Sequence, residues 1–147
     1  MKIRTLITLF ALVTFSTGAI CSHASDNAQS LPGKILKSPE WGSGCVVLSQ
    51  CTDFRTGDLL KIKVGGTAKK VILRLLPKGE SPDSSTGVVG GPMDVPPGRV
   101  IEVALPEDRL QVTQISVHGG ANPWGEFPLG EDNGPATLLS ASVVRKQ

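Results

Sequence analysis

A strict alternation of apolar and charged side chains marks the stretch LLKIKV. Leu60, Ile62 and Val64 fall on one side of an extended chain, and Lys61 and Lys63 fall on the other. Because successive side chains of a strand point to opposite faces, this pattern predicts a strand with one face in a core and the other in water. The glycine pair that follows predicts a hairpin into the next strand.

The stretches after this hairpin also predict strands. KKVILRLLPKG is apolar on nearly both sides, which indicates a central strand, and RVIEVALP alternates again. In LQVTQISVHGG the phase changes, because Leu110 and Val112 are one step out of register with Ile115 and Val117. A β-bulge near Thr113–Gln114 would return both pairs to the core, and a strand buried on both faces is the alternative. ATLLSASVVRK predicts the closing strand.

The mature sequence contains no stretch that combines helical spacing of apolar residues with caps and sufficient length for a helix. Six to eight short strands separated by Gly and Pro therefore predict a single antiparallel β-sandwich, or a small barrel. Two long connections, at 77–98 and 118–137, interrupt the strands. Aromatic residues make up only 4% of the chain, so we expect a core of Val, Ile and Leu.

The first 24 residues have the character of a targeting segment. Lys2 and Arg4 precede an uncharged, mostly apolar stretch, and small residues lie three and one positions before Ser25. This plan is typical of a secretory signal peptide that is cleaved before Ser25. A membrane anchor is the alternative, but a spanning helix needs ~20 apolar residues. A lipoprotein cut before Cys21 is a second alternative, although an isoleucine precedes that cysteine where a small residue is needed.

Cleavage changes both the charge and the domain organisation. Without the signal the chain has 13 basic and 13 acidic residues, so nucleic-acid binding is disfavoured. We expect a mature protein in the periplasm or outside a bacterial cell, with no transmembrane segment. Residues 1–24 are then the signal peptide, 25–40 a flexible leader that ends in an edge segment at KILK, and 41–147 the β-sandwich domain.

Two cysteines, Cys45 and Cys51, belong to the mature sequence. An even pair in an exported protein predicts a disulfide. A zinc site is disfavoured because a single histidine accompanies them, and a redox pair is disfavoured by the five intervening residues.

The connection 118–137 holds most of the candidate binding residues. Trp124 and Phe127 lie among glycine, proline, amide and acidic residues. Three interpretations stay open: the rings plug one end of the sandwich, they anchor a protein partner, or Trp124 forms a stacking platform for a sugar. The polar residues that would line such a surface are His118, Asn122, Glu126, Asp132 and Asn133.

Catalysis and calcium binding are two further hypotheses for this connection. His118 is the one histidine of the mature chain, and a small hydrolase would need it beside a serine and a carboxylate. Glu131, Asp132 and Asn133 offer oxygen ligands for calcium, although GEDNG is also an ordinary turn.

These observations predict an exported, non-catalytic binding module that recognises an envelope protein through the 118–137 surface. A carbohydrate-binding module that uses Trp124 and a hydrolase that uses His118 are the alternatives. We expect no cofactor, and a calcium ion bound at GEDNG is the alternative. An edge strand such as ATLLSASVVRK also offers a site for pairing with a second copy.

Overall fold

The computed structural model describes residues 27–38, 43–80, 87–120 and 128–147, and of residues 37, 38 and 43–45 it describes the backbone alone. Within these ranges the chain forms nine strands and no helix. They are β1 (Ala28–Ser30), β2 (Gly33–Ser38), β3 (Ser43–Phe54), β4 (Leu59–Gly66), β5 (Lys70–Pro77), β6 (Met93–Asp94), β7 (Val100–Ala104), β8 (Arg109–His118) and β9 (Ala136–Val144).

The strands form two antiparallel sheets. One has four strands in the order β1-β9-β4-β7, and the other has five in the order β2-β3-β8-β5-β6. Their inner faces share one core of aliphatic side chains around Phe54. The prediction of an antiparallel β-sandwich is therefore confirmed.

The alternation in β4 has the expected outcome. Leu60, Ile62 and Val64 are buried, whereas Lys63 is exposed. Lys61 is partly covered, and its Nζ lies 3.3 Å from a carboxylate oxygen of Glu102 on β7.

The prediction that β5 is central is also confirmed. Val71, Leu73 and Leu75 belong to the shared core, and their outward-facing neighbours Ile72, Arg74 and Leu76 are buried as well. On one side β5 pairs with β8. On the other side it pairs with β6 and with Val88 of the preceding connection.

The predicted bulge in β8 is present at Thr113. Leu76 pairs with Gln114 and the next β5 residue, Pro77, pairs with Val112, so Thr113 is the extra residue. Val112 is accordingly buried together with the residues after the bulge. The prediction that Leu110 also lies in the core is wrong, since its side chain is 48% exposed. A second irregularity explains this, because Gln111 has a φ of +51° and turns the start of β8 out of phase.

Two predictions about the chain ends are wrong. The segment expected to be a flexible leader contributes β1 and β2, and Leu31 between them is buried. The closing strand β9 is not an edge strand, since it pairs with β1 on one side and with β4 on the other. The segment expected at KILK is β2, and it is an edge strand.

Candidate functional site

The structure describes only part of the predicted binding surface. Asn122, Trp124, Glu126 and Phe127 lie outside the described residues. The alternatives of a plug, a protein anchor and a sugar platform therefore stay predictions.

Asn133 is a structural residue. It is buried, and its Oδ1 accepts hydrogen bonds from the backbone N–H groups of Lys69 (3.1 Å) and Lys70 (2.9 Å). Its Nδ2 donates to the carbonyl of Lys70 at 3.0 Å and to that of Gly120 at 3.5 Å. All its side-chain polar atoms are thus used within the fold. This corrects the expectation that Asn133 is available to a ligand at the binding surface.

The acidic residues beside it face water. Asp132 pairs with Lys69 at 3.1 Å, with both side chains largely exposed, and this hydrogen bond and charge lower the pKa of Asp132. Glu131 is exposed too. Within the described ranges no three His, Cys, Asp or Glu side chains converge as metal ligands. The hydrogen bond from Asn133 N–H to the carbonyl of Gly130 (3.2 Å) shows that GEDNG forms a turn.

His118, at the end of β8, lies beside a serine. Its Nε2 is 3.2 Å from Oγ of Ser116, which shares its face of the strand. Burial, together with the positive charge of Arg74 on β5, lowers the pKa of His118 to about 4. The imidazole is therefore neutral at neutral pH.

This pair is poorly suited to nucleophilic catalysis. In a Ser-His-Asp triad an acid stabilises the imidazolium that forms when the histidine takes the proton. Here a buried arginine opposes that charge, and a pKa near 4 makes His118 a weak base. Ser116 is itself only 3% exposed, which leaves a substrate little access to its hydroxyl.

The cysteines correct another prediction. Cys51 is exposed and carries a free thiol, so the predicted Cys45–Cys51 disulfide is not formed. Both residues belong to the single strand β3. Cys45 pairs with Ser116 of β8, and Thr52, the residue after Cys51, pairs with Val112. These two β8 positions are roughly 13 Å apart at about 3.3 Å per residue, whereas a disulfide needs Cα atoms within about 7 Å.

A small cavity lies between the β1–β2 connection and the second half of β3. It encloses about 210 Å³, and Cys51, Asp53 and Arg145 are among its lining residues. This is less than the roughly 300 Å³ of a small ligand pocket. The Arg145 guanidinium is also engaged elsewhere, since it donates to Asp58 at 2.7 Å and to the carbonyl of Asp53 at 2.8 Å.

The edge of the five-stranded sheet offers a different kind of surface. Ile35 and Leu36 of β2 are 44% and 40% exposed, and Val47 of β3 is 37% exposed. We call these three residues the edge patch. β2 pairs with β3 on one side, and no other strand of the described chain pairs with it.

The edge patch surrounds the free edge of β2. Ile35 pairs with the core residue Val46 and so belongs to the inner face of the sheet. Leu36 pairs with Cys45 and therefore shares the outer face with Val47, its diagonal neighbour. Sequence analysis marked KILK as an edge segment but not the patch, because Val47 joins it only through the β2–β3 register.

Comparisons with known proteins add no information about function. No family model matches the chain, and neither a curated protein nor a solved structure matches it. Within the part of the chain that the structure describes, no helix is long and apolar enough to cross a membrane.

Proposed function

We propose that this protein is an exported, non-catalytic module that binds another protein of the cell envelope through the edge patch. The sequence predicts the same class of protein, a binding module, but it predicts binding through the 118–137 surface. The edge patch is the observation that supports the proposal, because β2 is the longest edge strand in the described chain and three aliphatic side chains are exposed around it. Unpaired strand edges with apolar side chains are sites of pairing with another chain.

The other described edges are less suited to this role. β1 has three residues and β6 has two. β7 has five residues, but its central Glu102 is charged and is paired with Lys61 of β4. Val100 is the one β7 residue among the large apolar side chains that are exposed.

Affinity capture from an envelope extract of the producing cells tests the proposal. The mature protein is compared with Leu36→Lys, which introduces a charge into the edge patch. Val100→Lys is the matched control, because Val100 is also 40% exposed and also lies on an edge strand. We expect at least one envelope protein to be retained by the wild type and by Val100→Lys but lost from Leu36→Lys.

An unchanged set of captured proteins with folded Leu36→Lys would refute the proposed surface. Trp124→Ala in the same assay tests the 118–137 surface predicted from the sequence. If partner binding depends on Trp124 and not on Leu36, docking at the edge patch is wrong.

Export is tested separately. We propose that the signal peptide is removed during export to the periplasm or the medium. The intact mass of the protein recovered from these fractions is expected to correspond to a chain that begins at Ser25. A protein that retains residues 1–24 in the cell would contradict this part of the proposal.

A further inference from the structure

The backbone of β2 shows which polar groups are directed to its free edge. The Ser49 N–H donates to the Pro32 carbonyl at 3.0 Å, in line with the β2–β3 register. Hydrogen-bonded and non-hydrogen-bonded pairs alternate along an antiparallel ladder. Lys34 and Leu36 therefore direct their backbone groups to β3, and Gly33, Ile35 and Lys37 direct theirs away from it. These outward groups are a template for one further strand.

The side chains around this template combine apolar surface with a positive charge. Lys34 is exposed and pairs with Val47, so it shares the outer face with Leu36. Ile35, between them, lies on the inner face. A strand added beside β2 would thus meet an ammonium group and one apolar side chain on the outer face, and one apolar side chain on the inner face.

A second copy of β2 does not fit this arrangement. Only residues whose backbone groups point outward can form the hydrogen-bonded pairs, so Ile35 must face an outward residue of the second copy. Facing Gly33, it places Lys34 opposite Lys34, and like charges directly opposite are destabilising. Facing Ile35 or Lys37, it places Lys34 opposite Leu36 or Ser38, so Lys34 has no acidic partner. Lysine on an edge strand is a common device against self-association.

We propose that the free edge of β2 binds an extended segment of a different protein, which pairs antiparallel with it and places an acidic residue opposite Lys34 and apolar residues opposite Ile35 and Leu36. This inference rests on the proposed function and specifies the partner of the same surface. Backbone hydrogen bonds give such a complex its affinity, and the side-chain pairs give it specificity.

Two synthetic hexapeptides test the inference. The acidic peptide is Thr-Ser-Val-Val-Glu-Thr, which places its Glu opposite Lys34 when it pairs antiparallel, and the basic peptide has Lys in place of that Glu. Binding to the mature protein is followed by amide chemical shifts and hydrogen exchange at low salt. We expect the acidic peptide to bind about fivefold more tightly than the basic one, with new protection at the Ile35 amide but not at Lys34, whose amide is already bonded to β3.

Exchange of the charges provides the internal control. In Lys34→Glu the preference is expected to reverse, so that the basic peptide binds more tightly. Equal binding of both peptides, or no protection at Ile35 with either peptide at millimolar concentration, would overturn the inference. So would a concentration-dependent dimer through β2 in sedimentation experiments.

The two proposals fail in distinguishable ways. If the peptides do not bind but capture of an envelope protein still depends on Leu36, the edge patch binds a partner without strand addition, and only the inference is wrong. If capture is independent of Leu36, the proposed function is wrong, whatever the peptides do.

Discussion

The two ends of the sandwich are each tied together by one buried polar side chain in a turn, but one is a carboxylate and the other an amide. Asp58 lies in the turn between β3 and β4, and its side chain is 3% exposed. Asn133 lies at the opposite end, in the turn before β9, and is 5% exposed. Asp58 joins its own turn to the C-terminal residues, and Asn133 joins its own turn to Lys69–Lys70 and to Gly120.

Asp58 acts only as an acceptor. One carboxylate oxygen accepts from the Lys146 N–H at 3.0 Å, and the other accepts from the Arg55 N–H at 2.9 Å and from Arg145 Nη1 at 2.7 Å. Burial acts to raise the pKa of Asp58, but these hydrogen bonds and the charge of Arg145 outweigh it and lower the pKa. The C-terminal residues are thereby fixed to the β3–β4 turn.

Asn133 faces both donors and acceptors, so a carboxylate could not replace its amide. Backbone N–H groups and carbonyls both point at it, and an amide can accept from the first and donate to the second, whereas an ionised carboxylate only accepts. The comparison shows that the partners decide which polar residue closes each end. It also separates their pH dependence, because Asp58 titrates and Asn133 does not.

Asp58→Ala is expected to give the largest loss of stability. It leaves two backbone N–H groups and the Arg145 guanidinium without their acceptor, and we expect the free energy of unfolding to fall by about 2–4 kcal/mol. Urea denaturation at neutral pH measures this.

The matched control for Asp58 is Asp108→Ala at the same end. Asp108 also accepts hydrogen bonds from Thr56 and Arg55, but it is exposed. We expect a smaller loss, since water can replace the lost carboxylate. Equal losses in the two variants would show that burial is not what makes Asp58 important.

Asn133→Ala is expected to cost less, about 1–3 kcal/mol. It leaves partly buried backbone groups of Lys69 and Lys70 without this partner, but no charged group is involved. Asp132→Ala is the control. Asp132 is the residue next to Asn133, and its side chain makes one exposed ion pair with Lys69, which contributes little to stability. If Asn133→Ala were no more destabilising than Asp132→Ala, the amide would not be what ties this end together.

Sequence patterns predicted the sandwich because its strands depend on local alternation. The inward side chains of β4, the central position of β5 and the bulge at Thr113 all follow from the spacing of apolar residues over ten positions or fewer. The GEDNG stretch around Asn133 was also expected to form a turn, and the structure shows a further turn at Asp58. What the pattern did not indicate is that these two residues are buried, because their partners lie far away in sequence, up to 88 residues for Lys146.

The errors have the same origin. The disulfide was predicted from compartment and cysteine count, whereas its formation depends on whether β3 bends between Cys45 and Cys51. The edge patch was missed because exposure of Ile35 and Leu36 depends on which strand occupies the sheet edge. Strand order is set by pairing between distant segments, and a single sequence does not encode it as a periodic pattern.

The smallest predicted effect concerns His118, which lies at the same end as Asn133 and adds a titrating group there. Its pKa is about 4 in the folded protein and near 6.5 in the unfolded chain. The unfolded state therefore binds a proton in this interval and the folded state does not. The contribution of His118 to the free energy of unfolding is therefore fully present above pH 6.5 and is lost as the pH falls toward 4. We expect this loss to be about 1–2 kcal/mol after allowance for the partial exposure of the side chain.

His118→Gln sharpens the comparison between the two ends. Without the imidazole, unfolding free energy between pH 6.5 and pH 4 is expected to change less with pH than in the wild type. Asp58→Asn is expected to keep the wild-type pH dependence of unfolding free energy between pH 6.5 and pH 4. It differs from the wild type only in more acidic solution, because a carboxyl group with a lowered pKa contributes stability that is lost as the pH falls below the ordinary value of 3.8. Urea midpoints across this pH range, measured on both variants, separate the two effects. A wild-type slope in His118→Gln would show that the histidine is not held neutral by its surroundings, and groups other than His118 and Asp58 would then account for the acid sensitivity between pH 6.5 and pH 4.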